Sequence, residues 1–235
     1  MTARALLGRW RGRLLDLFFP RRCMECGREG RYFCAACVAG LPWIGPPWCP
    51  RCGLHLPDGL TCSSCQGQRF SLQGIRSAFF YHDPIRAALI AFKYRGVQTI
   101  GEEFATLLAQ HTAAELIPAD VLVPVPLFPS RKLERGYNQA EILSRALSPL
   151  VGLPVVPDAL MRTRNTAPQA RLLSSAARHE NVAGAFVAGP ASVAGKRVLL
   201  VDDVCTTGAT LNGCADALRT AGATVVWGLT VAREE

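Results

Sequence analysis

No apolar stretch in this 235-residue sequence reaches the roughly 18 uninterrupted residues that a transmembrane helix needs. A cleavable secretion signal is also missing, because the apolar run at 14–19 is short, contains Asp16 and is followed by Pro-Arg-Arg instead of small residues. We therefore expect a cytoplasmic protein without a membrane span. Charged residues make up only 19% of the chain and hydrophobic residues 49%, which excludes a disordered polypeptide.

Lysine is scarce, and the positive charge is carried mainly by arginine near the start of the chain. Residues 1–76 contain 11 arginines, no lysine and 4 acidic residues, whereas the remainder is nearly neutral. A basic segment of this kind is typical of proteins that bind nucleic acid or an anionic membrane. Residues 1–19 are Arg-rich and amphipathic, which predicts either a helix packed on the next domain, the interpretation we favour, or peripheral contact with a membrane surface.

Eight of the ten cysteines form four C-x-x-C pairs: Cys23/Cys26, Cys34/Cys37, Cys49/Cys52 and Cys62/Cys65. Two intervening residues let both sulfurs turn toward one metal ion, and two such pairs complete a tetrahedral site of four thiolates. The pattern therefore predicts two structural Zn²⁺ ions. A disulfide framework would use the same residues but requires an oxidising compartment. The short loops favour sequential pairing of neighbouring motifs, although a crossed pairing would use the same ligands.

Bound zinc would lower the net positive charge of the N-terminal region and so weaken the indication of an anionic partner. Eight thiolates and two Zn²⁺ ions lower the charge of residues 1–76 from +7 to about +3. The cysteine module is too small to fold around a core of its own, so we expect the metal to supply its folding free energy. Four aromatic residues among the pairs either fill this minimal core, which we favour, or stack on nucleic-acid bases: Tyr32, Phe33, Trp43 and Trp48.

The strongest chemical signal lies near the C-terminus, at residues 196–211. Four aliphatic residues predict a buried strand that ends at Asp202 and Asp203. A loop rich in threonine and glycine follows, then a helix over 211–218 and another strand over 225–231. This order predicts an α/β fold with a Rossmann-like parallel sheet, in which ligands bind at the carboxyl ends of the strands.

The threonine-rich loop has the chemistry that binds a phosphate monoester. Backbone N–H groups at a helix N-terminus bind anions, and a glycine such as Gly208 lets the ligand approach closely. The two aspartates would repel a phosphate but can accept hydrogen bonds from two vicinal hydroxyls. Phosphate on the loop and a diol on the aspartates together predict a ribose 5-phosphate group. A Walker A loop does not fit, because Gly195-Lys196 precedes a strand instead of following one.

The remainder of the C-terminal region fits the same fold. We predict strands over 77–81 and 121–126 and helices over 84–93, 101–116 and 140–150. Residues 130–139 are predicted to be a polar loop. Basic side chains in the loops, and Lys93 at the end of a helix, are either solvated surface or donors to a heavily charged anion.

Several motifs carry a resemblance to known families. Residues 198–210 resemble the phosphoribosyl pyrophosphate (PRPP) motif of type I phosphoribosyltransferases. With this motif and four others, the chain from Leu17 onward resembles the ComF (competence protein F) family. The other motifs are Lys93-Tyr94-Arg95-Gly96, the Val-Pro-Val-Pro strand at 123–126, Arg-Gly-Tyr-Asn-Gln at 135–139, and the spaced residues Arg162, Thr166, Gln169, Arg178 and Asn181.

The resemblance implies a domain organisation and a ligand site. The expected domains are the segment 1–19, a double zinc-ribbon module at 20–70 and a phosphoribosyltransferase-like domain at 71–235. It implies a PRPP site formed by Asp202, Asp203, Cys205, Thr206, Thr207, Gly208, Ala209 and Thr210, with Mg²⁺ accompanying PRPP. By position, the pyrophosphate side would use Arg131, Lys132, Arg135, Arg178 and Lys93. Glu134 departs from the family pattern, which has a neutral or basic residue there.

Three functions follow from this resemblance. The first is a PRPP-binding factor for natural transformation that handles incoming single-stranded DNA, with a helicase or the DNA-uptake machinery as partner. The second is an active phosphoribosyltransferase that transfers phosphoribose from PRPP to an unknown nitrogen acceptor. The third is a non-catalytic adaptor that senses PRPP. Pyrophosphate release separates the second hypothesis from the other two, and salt-dependent binding of single strands tests the first.

Overall fold

The computed structural model describes residues 20–58, 60–63, 65–66, 70–113, 117–165 and 184–234. It forms two compact units, Met1–Leu41 and Pro42–Glu235. The Arg-rich segment 1–19, for which we predicted an amphipathic helix, lies outside the described residues.

The first unit is a small cysteine-bearing module. Its chain reverses after Cys26 at Gly27, where φ is +74° and the backbone N–H donates to the carbonyl of Cys23 at 2.9 Å. A left-handed backbone of this kind favours glycine, because a Cβ would be strained there. The short helix α1 (Ala35–Val38) begins directly after Cys34, so of the second pair Cys34 caps the helix and Cys37 lies within it.

The second unit is built on a parallel sheet, as the sequence predicted. Its four strands are β1 (Gly74–Phe80), β2 (Val121–Pro124), β5 (Arg197–Cys205) and β6 (Val225–Arg233). Their order is β1-β6-β5-β2 and every neighbouring pair is parallel. Two further strands, β3 (Leu160–Arg162) and β4 (Phe186–Ala188), form a separate antiparallel ribbon.

Helices connect these strands. They are α2 (Ile85–Tyr94), α3 (Ile100–Ala113), α4 (Pro129–Arg135), α5 (Gln139–Val151), a 3-10 turn (Pro157–Ala159) and α6 (Ala209–Thr220). Helices α2, α4 and α6 follow the carboxyl ends of β1, β2 and β5, which meet at one edge of the parallel sheet. None of the helices in the described part of the chain is both long and apolar enough to cross a membrane.

Helix α4 corrects the prediction of a polar loop at 130–139. Pro129 occupies the first turn, where its missing N–H costs nothing, and Gly136 ends the helix with φ at +79°. These two residues mark a helix start and stop around a polar segment that lacks an apolar face. Hydrophobic periodicity therefore gave no signal there, and Arg131, Lys132 and Arg135 lie on a helix rather than on a loop.

Candidate functional site

The paired aspartates lie within a strand and not after it. Strand β5 continues through both of them to Cys205, because β6 remains paired with it as far as Arg233. The prediction that the strand ends at these acids was therefore short by two residues. Asp203 is buried, and its backbone N–H donates to Oδ1 of Asp202 at 2.8 Å. Both acids thus lie near the carboxyl end of β5, beyond its last pairing with β2 at Val201 and beside β6.

Lys93, at the end of α2, pairs with Asp203. Its Nζ lies 2.9 Å from Oδ1 of Asp203, and the two side chains are 17% and 11% exposed. Burial alone would lower the pKa of Lys93, but the charge of Asp203 and its hydrogen bond outweigh burial and raise that pKa above its usual value. The ion pair therefore links the end of α2, the helix that follows β1, to the acids of β5.

Asp202 has an unusual protonation equilibrium. Burial, followed by the nearby charge of Asp203, raises the pKa of Asp202 to about 7. A carboxyl group with such a pKa changes charge near neutral pH, whereas an ordinary aspartate is ionised there. Perturbed carboxyl groups at the edge of a parallel sheet are typical of functional sites.

The segment 205–210, named here the threonine loop, links β5 to α6. Gly208 forms the N-terminal cap of α6 with φ at +82°, and the hydroxyl of Thr207 accepts a hydrogen bond from the N–H of Ala209 at 3.3 Å. A small cavity of about 20 Å³ opens at this loop, lined by Asp202, Val204, Cys205, Thr206, Gly208, Thr210 and Leu211. The loop therefore presents a helix N-terminus beside the acids, as expected for an anion next to a polyol.

Cys205 is a structural member of this loop. It is 2% exposed, and burial raises the pKa of its thiol in spite of the nearby Arg233. A protonated, buried thiol is a poor nucleophile. Cys214, on α6, is fully buried and burial raises its pKa well above the usual value. Neither cysteine is suited to covalent chemistry.

A large polar cavity of about 610 Å³, the basic cavity, lies at Lys93 and helix α4. Its lining residues are Lys93, Tyr94, Gly96, Ser130, Arg131, Glu134, Arg135, Tyr137 and Asn165. Three cations against one carboxylate make it suited to an anion with several charges. Arg135 lies 5.1 Å from the ring of Tyr94 and donates to Oε1 of Gln139 at 3.1 Å, so its guanidinium is oriented before any ligand arrives.

The predicted pyrophosphate-side residues are only partly brought together. Lys93, Arg131 and Arg135 line the basic cavity. Lys132 does not line it; its Nζ is 3.6 Å from Glu141 and its side chain is 58% exposed. Arg178 lies outside the described residues, as do Thr166, Gln169 and Asn181.

The cysteines gather in two sequential quartets. The first quartet is Cys23, Cys26, Cys34 and Cys37; the second quartet is Cys49, Cys52, Cys62 and Cys65. In each quartet all sulfurs lie within 4.8 Å of one another. A tetrahedral Zn²⁺ site with Zn–S bonds of about 2.3 Å requires sulfurs about 3.8 Å apart. Cys26 and Cys34, and likewise Cys52 and Cys62, have sulfurs 3.7 Å apart, so both quartets fit zinc.

Two thiols of the first quartet have opposite pKa shifts. Burial would raise the pKa of Cys23, but hydrogen bonds from the backbone of Cys26, Cys34 and Glu25 lower it to about 6. The last thiol of the quartet behaves oppositely: hydrogen bonding with Cys34 and Cys26 raises the pKa of Cys37 to about 12. Binding of a divalent cation would deprotonate Cys37, because the metal compensates the charge of the thiolates that bind it.

The aromatic residues of the cysteine region divide between core and surface contacts. Phe33 is buried, and the ring of Trp43 lies 4.3 Å from that of Phe79 in β1. The Arg76 guanidinium lies 5.0 Å from the ring of Trp48 and 5.2 Å from the ring of Trp227. Trp43 and Phe33 thus serve the packing that we favoured.

Three contributors were missed by sequence reasoning. Tyr94 and Tyr137 lie in motifs that had been noted, but their place in the wall of the basic cavity depends on how α2 meets α4. Arg233, the last residue of β6, is buried and donates from Nη1 to the carbonyl of Cys52 at 2.7 Å. A cation at the end of an otherwise apolar strand was the available signal.

Comparison with known proteins follows the same division of the chain. Residues 14–66 match the family model of the double zinc ribbon domain, and residues 132–234 match that of the phosphoribosyl transferase domain. The first match contains both cysteine quartets, and the second contains β5, the threonine loop and most of α4.

Relatives extend over most of the chain. The sequence is 32% identical over 229 residues to competence protein F of Haemophilus influenzae, which covers 90% of this chain and 97% of that protein. It is 33% identical to DNA utilization protein YhgH of Escherichia coli O157:H7 in an alignment that covers 76% of this chain and 80% of that protein. It is 31% identical to competence protein ComFC of Bacillus subtilis in an alignment that covers 79% of this chain and 77% of that protein.

Proposed function

The chain belongs to the ComF (competence protein F) family, and we propose that it binds PRPP together with Mg²⁺ in the service of DNA uptake. The observation that carries the proposal is the ion pair between Lys93 and Asp203. Asp203 belongs to the acids beside the threonine loop, whereas Lys93 lines the basic cavity. One contact therefore joins a polyol-binding edge to an anion-binding cavity.

PRPP has three parts that correspond to these features. The ribose diol would donate to Asp202 and Asp203, and the 5-phosphate would accept from the N–H groups and hydroxyls of the threonine loop. The pyrophosphate would bind Arg131, Arg135 and Lys93. Mg²⁺ would enter with the pyrophosphate, and the carboxylate of Glu134, in the wall of the basic cavity, is the type of oxygen ligand that Mg²⁺ prefers.

Thermal stabilisation by ligand tests this proposal. Saturating PRPP with Mg²⁺ should raise the melting temperature of the wild type, because a ligand that binds only the folded state stabilises it. The variant Asp202→Asn/Asp203→Asn should lose the increase, whereas Asp158→Asn, an exposed aspartate in the 3-10 turn, should retain it. An equal increase in wild type and double variant would mean that PRPP binds elsewhere.

Turnover is the second part of the same experiment. Adding nucleobases or nucleosides to the PRPP-loaded protein and measuring pyrophosphate separates an active phosphoribosyltransferase from a binding-only adaptor. Stabilisation without pyrophosphate release supports the adaptor.

The role in DNA uptake is supported by the names of the relatives, competence proteins and DNA utilization proteins, and by the excess of arginine in residues 1–76. We place the protein in the cytoplasm, where an incoming single strand and the uptake or helicase machinery would be its partners.

Single-stranded DNA should bind with an affinity that falls steeply between about 50 and 200 mM salt, because phosphate contacts release counterions. Fluorescence anisotropy of a labelled oligonucleotide measures this, and an affinity that is absent or insensitive to salt would remove DNA from the proposal.

A further inference from the structure

Arg233 connects the second quartet to the threonine loop. Its Nη1 donates to the carbonyl of Cys52 at 2.7 Å and to Sγ of Cys205 at 3.4 Å. Cys52 is a ligand of the second quartet, and Cys205 is the first residue of the threonine loop. The side chain is 6% exposed, so these contacts are shielded from water. A single buried guanidinium thus touches both sites.

The charge of Arg233 has one evident source of compensation. No carboxylate forms an ion pair with it among the residues that the structure describes. A Zn²⁺ ion bound by four thiolates carries a net charge of −2, and this charge would lie next to the guanidinium. Because an uncompensated buried cation is costly, the zinc-loaded second quartet is the arrangement that retains Arg233 in its place.

A second route joins the same two sites through β1. The N–H of Ile75 donates to the carbonyl of Arg51 at 2.7 Å, and a Cβ added to Gly53 would lie 2.5 Å from the carbonyl oxygen of Ile75. Ile75 is fully buried, and its Cδ1 is 2.9 Å from the place where a Cβ of Gly208 would lie. The loop between Cys49 and Cys52 therefore packs on a residue that supports the cap of α6.

We propose that the second quartet is a positioning element of the ligand site, with Arg233 as its positioning residue, so that binding of zinc and binding of ribose 5-phosphate are coupled. The proposal rests on the proposed PRPP site, in which the threonine loop takes the 5-phosphate. Coupling of this kind is reciprocal: zinc raises the affinity for ribose 5-phosphate, and ribose 5-phosphate retains the zinc by the same factor. The basic cavity does not share the Arg233 contacts, so inorganic pyrophosphate is the internal control.

The first experiment measures the zinc affinity of the full-length protein by equilibrium competition with a chromogenic chelator, with and without saturating ribose 5-phosphate. One of the two zinc ions should bind about tenfold more tightly in the presence of ribose 5-phosphate, while pyrophosphate has little effect. If ribose 5-phosphate binds by calorimetry but the zinc affinity is unchanged, the coupling is refuted and the PRPP site stands. If neither ribose 5-phosphate nor PRPP binds, the proposed function fails and the coupling fails with it.

The second experiment uses variants. Arg233→Met should weaken the affinity for ribose 5-phosphate about tenfold, since a buried charge-assisted donor is lost, and should leave the affinity for pyrophosphate unchanged. A variant that is merely damaged would lose both affinities. Arg233→Lys retains a cation and should recover part of the loss, and Arg86→Met, at an exposed position of α2, should behave as the wild type. Wild-type affinity for ribose 5-phosphate in Arg233→Met would overturn the proposal.

Discussion

At the scale of single residues, Asp202 and Asp203 are neighbours with different surroundings. Asp203 is paired with Lys93 at 2.9 Å. Asp202 accepts a hydrogen bond from the backbone of Asp203 at 2.8 Å, and burial followed by the charge of Asp203 raises its pKa to about 7. Asp202 therefore changes charge near neutral pH, and Asp203 is the acid that pairs with Lys93.

This difference predicts how ligand binding depends on pH. A diol donates to a carboxylate, so the affinity for ribose 5-phosphate should fall as the pH is lowered through about 7, where Asp202 becomes protonated. In Asp202→Asn the affinity should be weaker at pH 8 and should depend less on pH. Calorimetric titrations at pH 6, 7 and 8 measure both slopes.

The phosphate of the ligand itself has a pKa of about 6 and adds the same pH dependence to the affinity of both proteins, so the difference between wild type and variant cancels it.

The stability of the protein provides a second check. Because the folded-state pKa of Asp202 is raised, the stability that it contributes is complete below the unfolded-state pKa and is lost as the pH rises through about 7. Asp202→Asn should therefore gain stability relative to the wild type above pH 7. Identical pH profiles for the two proteins would contradict the shifted pKa.

At the scale of elements, the two zinc knuckles have the same backbone but different surroundings. Gly27 and Gly53 both follow the second cysteine of a pair, with φ of +74° and +73°. A Cβ at Gly27 would meet nothing within 4 Å, whereas a Cβ at Gly53 would lie 2.5 Å from the carbonyl oxygen of Ile75. The second knuckle is therefore packed against β1. Its glycine is required both for the left-handed backbone and for the close approach to Ile75, whereas Gly27 is required for the backbone alone.

This contrast predicts unequal effects of alanine. Gly27→Ala should destabilise its knuckle by about 1 kcal/mol, the strain of a left-handed backbone. Gly53→Ala adds a clash with the backbone of β1, so we expect a loss of about 3 kcal/mol or more. Zinc retained per chain after competition with a chelator, together with the melting temperature, measures both variants. Equal effects would mean that the close contact with Ile75 is relieved by a small movement.

At the scale of the whole molecule, the second quartet belongs to the compact unit that contains the sheet. Contacts from Arg51, Cys52 and Gly53 reach β1 and β6. The first quartet lies in the unit Met1–Leu41. The two zinc ions should therefore contribute differently to the stability of the α/β fold.

Removing one ligand from each quartet tests this. Cys62→Ser should lower the main melting temperature by about 10 °C, because structural zinc contributes several kcal/mol of folding free energy and each kcal/mol shifts a unit of this size by about 2–4 °C. Cys34→Ser should release one zinc ion with a smaller shift. Differential scanning calorimetry with zinc quantification measures both, and equal shifts would show that the two quartets stabilise one cooperative unit.

Much of the architecture was accessible from the sequence, because it depends on short-range patterns. The C-x-x-C spacing defines the cysteine pairs, since two sulfurs with two residues between them converge on one ion. The aliphatic run before Asp202 predicts a buried parallel strand, and the threonine loop with Gly208 predicts an anion-binding helix N-terminus. These features are local, because residues close together in the sequence determine them.

The contacts that join the sites were decided by the tertiary structure. Lys93 and Asp203 are 110 residues apart in the sequence, and Arg233 and Cys52 are separated by 181. The first contact exists because β1, β6 and β5 are parallel neighbours, which brings the helix after β1 to the carboxyl end of β5. The second exists because the loop that contains Cys52 packs on β1, the neighbour of β6. Helix α4 also escaped prediction, since a polar helix without an apolar face has no periodic signal. The sequence determined the chemical groups, and strand order determined which of them meet.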